Sequence, residues 1–462
     1  MRTVSLVYDV LTKSLSERVD DLDSKRAELE RLDAYFRDGN FDALDVPAKA
    51  RRELWQIVKQ GVTPWLRLVT ETTAERLIVD GFRSADTDAV ESEFWRWWQG
   101  NRLDGRQMPH AVEVLKSGYS FVSVWAGEEE DESDESPIPL IVPDSPLRVD
   151  VQYDGPDPFE ATSAVKVRGR YAWLYPDTTI VHAFEWVRGK WVQVGEVENT
   201  LGEIPFVKFR ANPDTDGGHV SDLHGAIPIQ DRINRTTVDR LLAQAFSAFR
   251  QRWATGLVLD ADDDGKAVEP FNSAVDRLWI TEDEGARFGE FSEATLSNYV
   301  GAIAADVEHL AAVTRTPPHY LLGQIVNVNA EALTAAETGL TRKVQSHQQT
   351  QGEAWEDVFR LAAKAAGRED LIRDDLETVW RRTETVSDAQ RVDAGLKKKG
   401  LNVPTEAIWE DDLGASPQTV ERWRRLGRAE TLRASVSGVV PNAGTPADEP
   451  AETSENEEET AQ

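Results

Sequence analysis

The sequence predicts a mainly helical α+β protein, and three observations carry that prediction. Apolar residues recur at steps of three and four along several long segments of the 462-residue chain. Residues 119–211 break that pattern with short runs of period two, separated by Asp, Gly and Pro. A chain of this length also exceeds one ordinary core, which implies about two to four domains or one large elongated subunit.

In order, residues 14–35 place Leu15, Val19, Leu22, Leu29 and Leu32 at helical spacing. A second helix is expected from Pro47 to Lys59, then a helix running into a strand over 63–82 and two helices within 92–118. YSFVSVWAG, LRVDVQYD, SAVKVRGRYAWLY, TTIVHAFEWVRG, KWVQVGEVENT and IPFVKFRAN read as strands of the β-rich part. After the loop 212–222, residues 226–253 form a long helix through Ile229, Ile233, Val238, Leu241, Leu242 and Phe246. GLVLD and RLWIT suggest a small β element, and 296–316 returns to helix. Pro317 and Pro318 are expected to stop that helix near Thr316, because proline cannot donate to a continuing helix. Asn329 is a good N-cap, and from there apolar and polar positions run at helical steps to Ala366. That helix would be some 55 Å long at about 1.5 Å per residue. Its middle, KVQSHQQTQGE (343–353), is polar and contains Gly352, which suggests a kink. Two further helices are expected at 387–400 and 416–434, and an acidic tail from Ser435 whose composition predicts disorder.

Composition narrows the function. Apolar residues are 40% and charged residues 29%, as in soluble folded proteins. The absence of cysteine excludes disulfides, thiolate metal sites and cysteine nucleophiles, and fits a reducing cytoplasm. No signal peptide and no stretch of about 20 apolar residues is visible, so no membrane contact is expected. The net charge of −30 is opposite to that of a protein gripping nucleic acid through phosphates, and runs 127–136 and 449–462 supply part of it.

No chemical motif stands out. Asp260, Asp262, Asp264 and Gly265 match the start of a calcium loop, but Phe271 stands where the bidentate Glu is needed. The 7 histidines show no metal-ligand spacing, so no metal is expected. Phosphate-binding and nucleophile-elbow motifs are absent, and carboxylate pairs such as Glu185 and Glu196 are inevitable among 82 acidic residues. No cofactor and no catalytic residue are expected. Residues 415–428 offer an alternative reading as a helix-turn-helix DNA-binding regulator, with Ser416 as cap and Gln418, Thr419, Arg422 and Arg424 toward a groove. The sequon at Asn234 lies inside a predicted helix and reads as incidental.

The pattern Ile204, Pro205, Val207, Phe209, Asn212 followed by Ile229, Gln230, Asp231, Ile233, Asn234, and then TPPHYLLGQIVNVNAEALTAAE, resembles the tailed-phage portal proteins of the actinobacterial siphophage branch. The resemblance implies a portal fold assembling as a dodecameric ring at one capsid vertex of the virion, built in the host cytoplasm. It implies a wing at 1–225, stem helices at 226–253 and 294–315, a clip at 254–293, a tunnel loop at 316–329, a long wing helix at 330–366 and a crown at 367–434. Gln324, Ile325, Val326, Asn327 and Val328 would touch passing double-stranded DNA without sequence preference, braced by Pro317, Pro318, Gly323 and Asn329. Arg235, Arg240, Arg250 and Arg252 on the first stem helix would pair with acids of the adjacent subunit. The implied partners are the terminase large subunit, head-completion or adaptor proteins, and the major capsid and scaffold proteins.

Overall fold

The computed structural model of the protein describes residues 2–40, 55–84, 88–127, 137–155, 157–248, 252–256, 285–290, 295–323, 330–383 and 388–437. They fall into two compact units divided at residue 387/388.

Helix α1 (Arg2–Asp38) is longer than its apolar pattern predicts and serves as a spine of the first unit. Leu15 packs with Val165, Leu174 and Phe184, Leu29 with Tyr119 and Val149, and Leu32 and Tyr35 with Ile227, Ile233 and Leu310. One stripe of side chains thus joins three clusters of the core. Helices α2 (Trp55–Gln60), α3 (Trp65–Ala74), α4 (Asp88–Gly100) and α5 (Leu103–Ser117) follow, with strand β1 (Val79–Arg83) after α3.

The β-rich part forms two antiparallel sheets. One has the order β3-β2-β9, from β2 (Tyr119–Trp125), β3 (Leu140–Asp144) and β9 (Phe206–Arg210). The other is a meander of β4 (Val149–Gln152), β5 (Ser163–Arg168), β6 (Tyr171–Tyr175), β7 (Ile180–Val187) and β8 (Lys190–Glu198). Period-two runs found all of these except β3, whose LIVPD has a proline in place of a clean alternation.

Helix α6 (Ile227–Ala248) stops short of the expected residue 253, and Arg252 stands instead on β10 (Arg252–Thr255), which pairs with β11 (Arg287–Glu290). Residues 257–260 and 277–281, expected as strands, lie outside the described residues. Helices α7 (Leu296–Thr314), α8 (Pro318–Leu322) and α9 (Ala330–Ala365) complete the long elements, and a turn of 3₁₀ helix (Glu369–Leu371) leads to β12 (Glu377–Trp380). Strand β12 pairs with β1 within the first unit, and the second unit begins at Asp388.

The far half of α9 packs into an aromatic cluster. Phe359 lies 4.3 Å from Phe82 and 5.1 Å from Phe94, and Trp355 lies 5.0 Å from Trp98 and 4.9 Å from Phe209, between ring centroids. Such ring pairs add about 0.5–1.5 kcal/mol each to what burial contributes. Several of the 15 tryptophans are therefore core residues.

The second unit contains α10 (Asp388–Gly400), α11 (Thr405–Asp411) and α12 (Pro417–Ser437). Trp409 meets Trp423 at 5.3 Å, and Lys398 pairs with Asp412 at 2.9 Å. No helix among the described residues is long and apolar enough to cross a membrane.

Candidate functional site

Helices α6 and α7 are held at their base by a network that begins with α6. Ile229 and Ile233 face the core, while Gln230 (0% exposed) and Asn234 (1% exposed) are buried polar side chains that need partners. Gln230 Nε2 donates to Thr63 O at 2.8 Å and to Asn234 Oδ1 at 2.7 Å, and Asn234 Nδ2 donates to Gly39 O at 2.9 Å. The hydroxyl of Tyr35 donates to both oxygens of Asp231, at 2.9 and 3.0 Å. The Ile-Gln-Asp-x-Ile-Asn run is thus a clasp that fastens the start of α6 to the end of α1 and to the turn before α3. Burial of Asn234 also rules out the sequon as a glycan site in the folded chain.

Helices α6 and α7 lie side by side. Ile227 and Ile233 meet Val307, Leu310 and Ala311, and Arg232 donates to Asp306 at 2.8 Å. Further along α7, Val300, two turns before Val307 on the same face, is 57% exposed, and Val313 is 55% exposed. Of the four stem arginines singled out, Arg235 pairs with Asp239 one turn away at 3.3 Å, Arg240 is half-buried on α6, Arg252 stands on β10, and Arg250 lies outside the described residues.

The end of α7 differs from expectation. The helix closes at Thr314, and the stop is Arg315 at φ +54°, a left-handed backbone normally left to glycine. Arg315 N donates to Ala312 O and Thr316 N to Ala311 O, the two bonds of a Schellman cap. A non-glycine residue there carries strain of about 1–3 kcal/mol. Pro317 is buried and extended, and Pro318 opens α8 as its first residue, where its missing N–H costs nothing. The double proline therefore starts a helical turn instead of merely ending one. Leu321 is buried among Ile227 and Leu310, and Gly323 at φ +63° closes α8, so the turn expected at Gly323 is present. Gln324, Ile325, Val326, Asn327, Val328 and Asn329 lie outside the described residues.

Behind this turn stands the near half of α9, whose polar middle turns one side inward, with His347 and Gln351 buried. Asp222 is reached by Lys343 at 2.7 Å, by His347 at 3.5 Å and by Asn212 Nδ2 at 2.6 Å. Burial alone would raise the Asp222 carboxyl, but the charges of Lys343 and His347 outweigh it and hold it well below the usual carboxylate range. Lys343 also donates to Thr314 O, at the last residue of α7, at 3.4 Å. The hydroxyl of Tyr320 on α8 donates to Glu337 Oε1 and accepts from Arg76 Nη2, each at 3.0 Å. Gly352, expected to kink the helix, has a different use. A Cβ there would meet Trp380 Nε1 at 3.3 Å, and Thr378 Oγ1 donates to Gly352 O at 3.2 Å, so the glycine lets β12 lie against α9.

Asp222, Lys343, His347, Arg315, Arg76 and Tyr320 were not legible as bracing residues. The only signal was an unusual polar stretch inside a long helix, and its partners come from distant parts of the chain. In the second unit, Arg424, expected toward a groove, donates from Nε and Nη2 to Glu406 at 2.8 and 2.9 Å. This occupies the guanidinium that the helix-turn-helix reading needs. Ser416 caps as expected, accepting from Thr419 N at 3.4 Å. The Asp260–Gly265 run lies outside the described residues.

A family described as phage portal protein, SPP1 Gp6-like, matches residues 46–429. The portal protein of Mycobacterium phage D29 is 30% identical over 392 residues, which are 79% of this chain and 78% of that protein. The portal protein of Mycobacterium phage L5 is 29% identical over 404 residues, 82% of this chain and 81% of that protein. Among solved structures, a chain from the virion of a native gene transfer agent particle aligns at TM-score 0.38 and 13% identity, covering 86% of this chain and 97% of that one. A chain from the neck of that native particle aligns at TM-score 0.41 and 11% identity, covering 78% and 91%.

Proposed function

The chain belongs to the SPP1 Gp6-like family of phage portal proteins and functions as one of them, and on that footing we propose that twelve copies close into a ring at one vertex of the capsid. The ring conducts double-stranded DNA inward during packaging and outward at ejection. The carrying observation is that the family match runs through 46–429, taking in both stem helices, the segment between them and the long helix behind.

Val300 and Val313 of α7 are uncovered apolar side chains that a neighbouring stem would bury, each Å² so buried contributing about 25 cal/mol. In this reading α6 and α7 form the stem, 254–293 the clip that meets the terminase large subunit and head-completion proteins, and 388–434 the crown. The wing faces the capsid and scaffold proteins. The finger at 324–329 carries no charged residue, which suits fleeting contact with a moving duplex better than phosphate binding. A net charge of −30 repels the duplex over roughly 8 Å at physiological salt, so it centres DNA only close to a wall. The ring is a structural conduit with no enzymatic activity of its own, and ATP hydrolysis belongs to a separate motor.

Light scattering on the purified chain is expected to give a mass near twelve times 51.6 kDa, with annular particles in negative stain. A monomer at every concentration would reject the ring. Rings of the double variant Gln324→Glu, Asn327→Glu are expected to form and to package poorly. Normal packaging by those rings would reject the finger while leaving the ring intact.

A further inference from the structure

Strand β9 carries Lys208 and Arg210 at alternate positions, so both side chains leave the same face of the three-stranded sheet, into the gap before the five-stranded one. Their surroundings are aromatic. The Lys208 ammonium lies 4.8 Å from the Tyr119 ring centroid and 5.4 Å from that of Tyr153, and the Arg210 guanidinium lies 5.3 Å from Tyr153 and 4.7 Å from Phe159.

Neither cation has a carboxylate within ion-pair distance among the described residues, and the acids nearby are already engaged. Asp150 receives Lys25 and Gln152, Glu203 receives Arg360 and Lys364, and Asp157 accepts the N–H of Phe159 at 2.8 Å. Arg210 is only 8% exposed, gives its Nε–H to Gly217 O at 3.2 Å, and leaves Nη2 buried without an acceptor. An uncompensated buried charge is costly, so a site that keeps the buried Arg210 beside the half-buried Lys208 needs an anion or another reason to exist. The cost shows in the protonation equilibria. Burial, then Arg210 and Lys25, pull the Lys208 amine down to about 8, and burial with Lys208, Arg210 and Lys25 holds the His219 imidazole at about 4.

There is also room. Two cavities of about 460 and about 450 Å³ share Lys208 as a common wall, the second also lined by Arg210, Tyr153 and Phe159, and volumes of this size suit small organic ligands. The second cavity is also lined by Asp157, Glu160, Glu203 and Asp357, of which Glu203 and Asp357 pair with Arg360, so among the described residues Lys208 and Arg210 are the cations of its wall without an ion pair.

We propose that the gap between the two sheets is a seat for a small organic oxyanion, a carboxylate or a phosphate ester, held by Arg210 and Lys208 with Tyr153 and Phe159 as its wall. This does not depend on the DNA conduit. Arg210 supplies a planar fork that matches two oxygens of such a group, and Lys208 supplies a point charge beside it.

The test is thermal unfolding of the full chain titrated with sodium sulfate, phosphate, acetate and benzoate, against sodium chloride at matched ionic strength. The wild type is expected to show a saturable rise in Tm with at least one of these oxyanions. Lys208→Met and Arg210→Gln are expected to weaken that saturable part at least tenfold, leaving only the gradual rise that excluded salts give any protein. Lys208→Met removes a half-buried charge that has no ion pair among the described residues and so is expected to fold even if Arg210→Gln does not. Sulfate and phosphate outranking the carboxylates assigns a phosphate ester, and benzoate outranking the rest assigns an aromatic acid. No saturable rise with any ion, or the same rise in Lys208→Met, would overturn the seat and leave the two cations as stacking struts.

Discussion

The two halves of α9 share one apolar core but differ in what is added to it. From Trp355 onward the helix is fixed by rings, with Phe359 and Trp355 among Phe82, Phe94, Trp98 and Phe209. Before Gln351, where Leu340 and Val344 are its buried apolar residues, buried charge and hydrogen bonds are added, through Lys343 and His347 on Asp222 and through Glu337 on Tyr320. Apolar packing is non-directional and holds a helix down without choosing its rotation finely. A buried ion pair is directional and adds little net stability, but it penalises any other arrangement. The polar contacts stand beside the end of α7 and the turn of α8, so directional contacts lie where the chain changes direction and rings where bulk stability is needed.

The comparison can be broken from either side. Phe359→Ala is expected to cost most, about 3–5 kcal/mol in urea unfolding, because the rings around it cannot close over the void. That loss should be independent of pH between about 5 and 8, since no ionisable group is changed. Asp222→Ala is expected to cost about 3 kcal/mol at neutral pH, because it leaves Lys343 buried without its carboxylate. Its signature is the pH dependence. The folded-state pKa of Asp222 lies below its unfolded value, so its contribution is fully present above about pH 4 and is lost as pH falls through the folded value. Stability measured downward from pH 4 should therefore fall less steeply in Asp222→Ala than in the wild type, and equal slopes would show that the pair is not formed.

Smaller effects sharpen the contrast at the clasp and the cap. Asn234→Ala is expected to cost about 2 kcal/mol, since it strands Gln230 and the carbonyl of Gly39, and hydrogen exchange should quicken first at the start of α6. Arg315→Gly is expected to gain about 1 kcal/mol, because glycine accepts φ +54° without strain. A loss on that substitution would mean that the Arg315 side chain makes a contact worth more than the strain it carries.

Much of the fold was legible because its elements follow their periods. The leucine stripe of α1, the six period-two runs of the β part, and the start and end of α9 all follow from spacing and caps. The misses share a cause. Strands β11 and β12 have four residues each, too short for a period to register, and β12 exists because β1 offers it an edge. Arg315 is helical by propensity and left-handed in fact, because tertiary packing of Thr316 and Pro317 turns the chain there. Two prolines and an asparagine were expected to brace the loop; Asn329 lies outside the described residues, and the turn from α7 into α8 is held by Lys343 on Thr314 and by Tyr320 between Arg76 and Glu337, partners that spacing does not reveal.

By itself the sequence determined the helical frame, the β insert and the family, because those rest on local periodicity and on a linear order of motifs. It also determined the clasp residues, Gln230, Asp231 and Asn234, as a pattern without a purpose. Only the tertiary structure decided what those residues hold, that the polar middle of α9 turns one side inward, and that Lys208 and Arg210 meet aromatic rings and no acid. The physical reason is that a polar side chain's role depends on which partner reaches it, and partners 120 residues apart, such as Asp222 and Lys343, roughly counted, are chosen by packing rather than by spacing.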